Sequence, residues 1–220
     1  MNDGSVQLEL SADATVAKFN ILALLRERTA DIHLLVEERV PVFQEDFGLG
    51  EYTKLVQAFF GFLAPVEERL SELTTLQDPD LALQSRLKSQ LLKEDLLILG
   101  CDPAAVRRCE RLPRLDTFPR GVGCLYVLEG STLGSQIISR RLEEKLHLDE
   151  NSGASYFNAY GGLAGSRWME FKRFVLASVR PEHADEVVGA ARERLLAFTN
   201  GSRAVRLNMP GRLTMVYLGA

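Results

Sequence analysis

Histidine and cysteine are both scarce in this 220-residue chain, with three of each. The cysteines, at positions 101, 109 and 124, are odd in number and lack Cys-x-x-Cys spacing. That argues against a disulfide framework or a structural zinc site and fits a reducing cytoplasm. No apolar run approaches the roughly 18–20 residues that span a bilayer. The first nineteen residues lack a basic stretch followed by an apolar core, so no secretion signal is expected. Neither sign of charge dominates: 26 Lys and Arg against 30 Asp and Glu leave a net charge of −4, so nothing announces nucleic acid or an anionic membrane as a partner. Alternating strand patterns are nearly absent.

What remains is helical periodicity in a chain that is 46% apolar and 25% charged, ordinary for a globular protein. The pattern predicts a first helix over about 17–40, stopped by Pro41. A second starts near Glu51 and should be kinked or split at Pro65. A third is expected over Leu81–Leu99, closing at Gly100, and a short one after the Asp102–Pro103 cap pair. A long helix is expected over about Pro119–His147. A Gly- and aromatic-rich stretch, NSGASYFNAYGG, follows, then two helices over about 163–179 and 181–198. The expected organisation is a flexible segment 1–16, one all-α domain 17–200, and a tail 201–220 without strong pattern.

The first constellation lies in LLRERTADIHLLVEERV. At about 100° per residue, Glu37 lies one turn beyond His33 on the same face, and Arg26 lies two turns before it. A cation, an imidazole and a carboxylate thus line up along one helix. An iron porphyrin needs an axial nitrogen, which neutral imidazole supplies. A carboxylate beside the second ring nitrogen would fix the tautomer, and a guanidinium would meet a propionate. The plainer alternative is a packing or surface histidine with an ordinary i+4 glutamate.

The second constellation lies in GVGCLYVLEGSTLGSQIISRRLEEKL. Gly123, Val127, Gly130, Ser131, Gly134 and Ile138 fall within about 100° of one helical face. Each glycine inside a helix costs about 1 kcal/mol relative to alanine, so Gly130 and Gly134 need a reason. Close approach of a flat, bulky ligand is one, and close helix–helix packing is the other. Gly–Ser neighbours also permit a bend.

Three segments together resemble the heme oxygenase family. LRERTADIHLLVEERV resembles its proximal helix. YVLEGSTLGSQIISRRL resembles the distal helix of bacterial members, especially those encoded beside bacteriophytochromes. YFNAYGGLAGSRWMEFKRFV resembles the aromatic segment that follows. The resemblance covers about Leu24 to Phe198. It implies a single-domain all-α bundle with heme between the first helix and a kinked, glycine-containing distal helix.

Carried over by position, the resemblance makes His33 the iron ligand, Glu37 its hydrogen-bonded partner and Arg26 a propionate contact. Gly130 and Gly134 match the glycines over the heme. Tyr126, Arg167, Lys172 and Arg173 align less closely as further propionate contacts. Ser131 departs from the animal enzymes, which carry an aspartate there, so the residue organising proton delivery is left open. The implied reaction uses heme b as substrate and cofactor, with O2 and electrons from an external ferredoxin or reductase. It releases biliverdin, of the IXα isomer, CO and ferrous iron, with a bacteriophytochrome as a biliverdin acceptor. A heme carrier with the same pocket is the alternative. A di-iron or thiaminase-like member of the wider helical superfamily would need a carboxylate-rich or Glu-x-x-His pattern, which the sequence lacks.

The remaining histidines, His147 and His183, are expected near helix ends at the surface, and Trp168 in the core. Tyr156, Phe157 and Tyr160 fit either a pocket wall or ordinary packing. The ARERLL and RRLEEKL runs are expected as solvated faces with charge pairing.

Overall fold

Asn20 starts the first helix in the computed structural model of the protein, which describes residues 19–37 and 41–201, with side chains within 19–32 and 41–197. Its carboxamide oxygen accepts from the backbone N–H groups of Leu22 and Ala23, each at 3.1 Å. This cap sets α1 at Ile21–Glu37, a turn later than the periodicity suggests. The expected flexible segment 1–16 and the tail from residue 202 lie outside the described residues.

Helix α2, Leu49–Glu72, runs unbroken through Pro65, so of the expected kink or split the split does not occur. Proline there removes the hydrogen bond to the carbonyl of Gly61. That carbonyl instead accepts from the backbone N–H of Cys109 at 2.8 Å. Gly61 also lets the chain close in, since a Cβ there would overlap the carbonyl of Arg107. The Gly61–Pro65 pair thus docks the 106–109 segment rather than breaking the helix.

The predicted helix over 81–99 is broken. A 3-10 turn covers Leu83–Arg86 after Ala82, whose φ is +48°, and α3 covers only Ser89–Ile98. The buried carboxylate of Glu67 accepts from the backbone N–H groups of Lys88 and Ser89 at 2.7 and 2.8 Å, capping α3 from another helix. Gly100 follows α3 with φ +76°, as its position past the last periodic residue suggests. Asp102 caps only the 3-10 turn Pro103–Ala105.

Helix α4 spans Phe118–Leu146, with Thr117 as cap and Pro119 in its first turn. It ends at exposed His147, in the left-handed region at φ +56°. The aromatic stretch folds as two 3-10 turns, Tyr156–Asn158 and Gly161–Leu163, before α5, Ala164–Ser178. After a 3-10 turn at Pro181–His183, α6 covers Ala184–Gly201. There is no β-strand among the described residues, and none of their helices is long and apolar enough to cross a membrane.

One continuous apolar core, including Leu25, Tyr52, Leu70, Leu92, Leu125, Phe157, Phe171 and Leu195, joins all six helices. Helices α1 and α4 both pack on α6, while their backbones barely meet each other among the described residues. On the α1 side, the Arg192 guanidinium donates to Asp31 at 2.8 and 3.1 Å and to the carbonyl of Arg28. On the α4 side, Arg120 pairs with Glu193 at 3.0 Å. Lys145 closes one end, donating to the carbonyls of Gln44 and Glu45 in the turn that follows α1.

The ARERLL run is a partial correction. Arg192 and Glu193 form surface pairs, but Arg194 is buried, its guanidinium stacked over the Phe62 ring at 4.2 Å. Desolvation lowers its pKa from the usual arginine value. Arg141 in RRLEEKL pairs with Glu144 at 3.5 Å, as a solvated face would.

Candidate functional site

The small-residue face of α4 has two parts. At its N-terminal end Gly123 is a helix–helix contact: a Cβ there would overlap the carbonyl of Val187 on α6 and crowd Ala190. Gly134, three turns on, has nothing among the described residues within 4 Å of the place a Cβ would take. So Gly123 has a packing role, whereas Gly134 offers bare backbone to open space. Between them Gly130 is buried and Ser131 is exposed.

The hydroxyls of this stretch turn inward on their own helix. Ser131 donates to the carbonyl of Leu128 at 2.8 Å, Thr132 to Glu129 at 2.7 Å and Ser135 to Ser131 at 3.0 Å. Such bonds compete with the helical ladder and often bend helices. Two glycines and three self-bonded hydroxyls make 130–135 a weak stretch of α4 by intrinsic propensity.

Directly behind this window lies a group that sequence reasoning missed. Glu129 is 1% exposed and its carboxylate is fully occupied. Oε2 accepts from Arg86 at 2.5 Å, and Oε1 from Lys88 at 2.7 Å and from the Tyr160 hydroxyl at 2.9 Å. Arg86 is held in turn by the carbonyl of Leu81 at 2.7 Å and lies over the Phe171 ring. Lys88 also donates to the carbonyl of Arg86 and sits 4.7 Å from the Tyr160 ring centroid. Burial pulls the Lys88 pKa below the usual lysine range, against the pull of Glu129. Burial, and then the Glu129 charge, push the Tyr160 hydroxyl up. The break between the Leu83–Arg86 turn and α3 is what aims Arg86 and Lys88 at this carboxylate. The visible signal was one acid in the otherwise uncharged run VGCLYVLEGSTLG.

The basic candidates on α5 divide. Lys172 Nζ lies 5.6 Å from the Trp168 ring centroid, and Tyr126 packs on the same indole with centroids 5.4 Å apart. Trp168 is 7% exposed, and its Nε1 is buried without a hydrogen-bond partner. Lys172, Tyr126 and Trp168 therefore form one cluster beside α4. Arg173 is exposed on α5. Arg167 is committed elsewhere: it donates to Ser85 and to Glu170, and stacks on Tyr160. Tyr156 and Phe157 are buried. With Tyr160 they line a small cleft bounded by Thr132, Ser135 and Gln136.

On α1, Arg26 is exposed. His33 and Glu37 belong to the same helix, and their side chains lie outside the described residues. Of the other two histidines, His147 is exposed at a helix end as expected, whereas His183, expected at the surface, is half-buried with its Nδ1 enclosed.

Compared with curated protein sequences, the chain finds no match. Among solved structures it is similar to heme oxygenase from Neisseria meningitidis in NO- and CO-bound forms, with a TM-score of 0.70 and 21% identity over 84% of this chain and 92% of that one. Heme oxygenase-1 from the cyanobacterium Synechocystis sp. PCC6803, in complex with heme, gives 0.66 and 17% over 86% and 94%. Heme oxygenase from Leptospira interrogans gives 0.64 and 16% over 83% and 98%. The family model described as heme oxygenase matches residues 19–203. That match spans most of the sequence, and the all-helical fold agrees with it: the chain belongs to the heme oxygenase family and is a heme-degrading enzyme.

Proposed function

We propose that the protein opens heme to biliverdin IXα, with release of CO and ferrous iron, in the cytoplasm. The observation that carries this reading is the space over Gly134, open among the described residues, in a helix whose described backbone barely meets α1 although both pack on α6. Bare backbone lets a planar macrocycle approach closely. The residues present fit such a group in polarity as well. One turn before Gly130 on α4, Tyr126 packs with Lys172 on the Trp168 indole, whose N–H lacks an acceptor, which a carboxylate would supply.

In this reading His33 would hold the heme iron through a ring nitrogen, and Glu37 would accept from its other ring nitrogen. Arg26, Tyr126 and Lys172 would meet the heme carboxylates, with Arg173 on α5 as a further cation, while Arg167 is held by Ser85 and Glu170. Bound heme supplies the iron centre at which oxygen is reduced, and is itself the substrate. The chain's own contribution is space and order. Gly130 and Gly134 keep side chains away from the oxygen-binding face. The Ser131 hydroxyl already donates to Leu128, so proton supply falls to water held against this backbone. Electrons come from a ferredoxin or reductase, and the IXα product suits a bacteriophytochrome as acceptor.

The test is to load the purified protein with heme, supply a reductant and oxygen, and separate the product against the four biliverdin isomers. Loss of the heme spectrum with the α isomer predominant supports the reading. A predominant β or δ product overturns the isomer assignment. Heme that binds and persists would make the protein a carrier.

A further inference from the structure

We infer that the Tyr160–Gly161 loop is a brace that holds the glycine window of α4 in place, with Glu129, Gln136 and Tyr160 as positioning residues for the heme reaction. The inference rests on the functional reading above. Two bonds from adjacent loop residues reach α4 on either side of the window. The Tyr160 hydroxyl donates to Glu129, just before Gly130. The Gln136 side chain donates to the carbonyl of Gly161, just after Gly134 and Ser135. Residues 129 and 136 are two turns apart and within about 20° of one another around the helix, on the side away from Gly134.

The loop is itself well anchored. The buried Asp95 carboxylate accepts from the backbone N–H groups of Ser155 and Tyr156 at 2.8 and 2.9 Å. The Tyr52 hydroxyl donates to the carbonyl of Gly153 at 2.7 Å. Gly161 takes φ +48°, the left-handed region that a glycine adopts without strain, and so presents its carbonyl to Gln136. Between the two ties lies the small cleft over Thr132 and Ser135, so the loop touches α4 at the ends of the weak stretch and spans its middle. A helix segment with this composition has little rigidity of its own. Two ties to a fixed loop supply what its sequence does not, and they hold the backbone at the distance the heme face requires.

The test uses the full chain, free and heme-loaded, as wild type, Tyr160→Phe, Gln136→Leu and the double variant. In the free protein, amide exchange at residues 130–137 should accelerate by about tenfold in the double variant, with α6 unchanged. In the heme-loaded protein, the acid–alkaline transition of the iron-bound water should move by about half a pH unit, since the backbone that orders this water has shifted. Window exchange that stays at the wild-type rate, or rises only in step with α6, overturns the brace. An unmoved alkaline transition overturns its role in positioning. If the double variant does not fold, each single variant is read by the same criteria. Failure of the wild type to bind heme would count against the functional reading alone, because exchange in the free protein still decides the brace.

Discussion

Gly123 and Gly134 share one side of α4, yet Gly123 is pressed against the Val187 carbonyl of α6 and Gly134 faces open space among the described residues. Opposite responses to the same substitution follow. Gly123→Ala should destabilise the free protein by about 1–3 kcal/mol, because backbone must move to admit the methyl group. Gly134→Ala should leave it unchanged or stabilise it by up to about 1 kcal/mol, from helix propensity alone. Urea unfolding of both variants checks this. Equal destabilisation would mean that the space over Gly134 is filled.

The same opening predicts an order of damage to the reaction. Gly134→Val places a branched side chain where oxygen and its ordered water must lie, so single-turnover biliverdin formation should fall sharply while heme still binds. Ser131→Ala removes a hydroxyl that already donates to Leu128, and water replaces it at little cost. Its turnover should stay within about threefold of wild type, roughly 0.7 kcal/mol in barrier. Normal turnover in Gly134→Val with a stalled Ser131→Ala would reverse the assignment and make Ser131 the proton-delivery residue.

Asp95 gives a pH signature for the loop anchor. Desolvation raises its carboxyl pKa above the usual 3.8, against the hydrogen bonds from Tyr156 and Ser155. The folded state therefore binds this proton more readily than the unfolded chain does. The resulting contribution to stability is fully present below the unfolded value and is lost as pH rises through the folded one. Asp95→Asn lacks it. The stability difference between wild type and variant should shift in favour of wild type as pH falls from neutrality toward 4. Denaturant unfolding across that range measures it, and a difference that is flat or of opposite slope would contradict the stated environment.

Much of this architecture was legible in the sequence because periodicity and caps report local physics. Thr117 with Pro119 began α4 near the expected residue, and Gly100 ended α3. The errors came where distant residues intervene. Pro65 looked like a kink or a break, and the break is avoided because Cys109 takes up the carbonyl it frees. Residues 81–99 looked like one helix, but Glu67 caps Lys88 and Ser89 while Glu129 draws Arg86 and Lys88 inward. Gly123 shared a helical face with Gly134, and only the position of α6 tells them apart. Glu129 itself was a lone acid whose three partners lie 31 to 43 residues away. No local pattern can announce such a pairing.

The central claim is that α1 presents His33 to heme iron. Resonance Raman of the ferrous heme complex tests it most directly, with His33→Ala compared against wild type, His147→Ala and His183→Ala. Wild type and the His147 and His183 variants should show an iron–imidazole stretch, and His33→Ala should lose it and recover it on adding free imidazole. An unchanged iron–imidazole stretch in His33→Ala would contradict it.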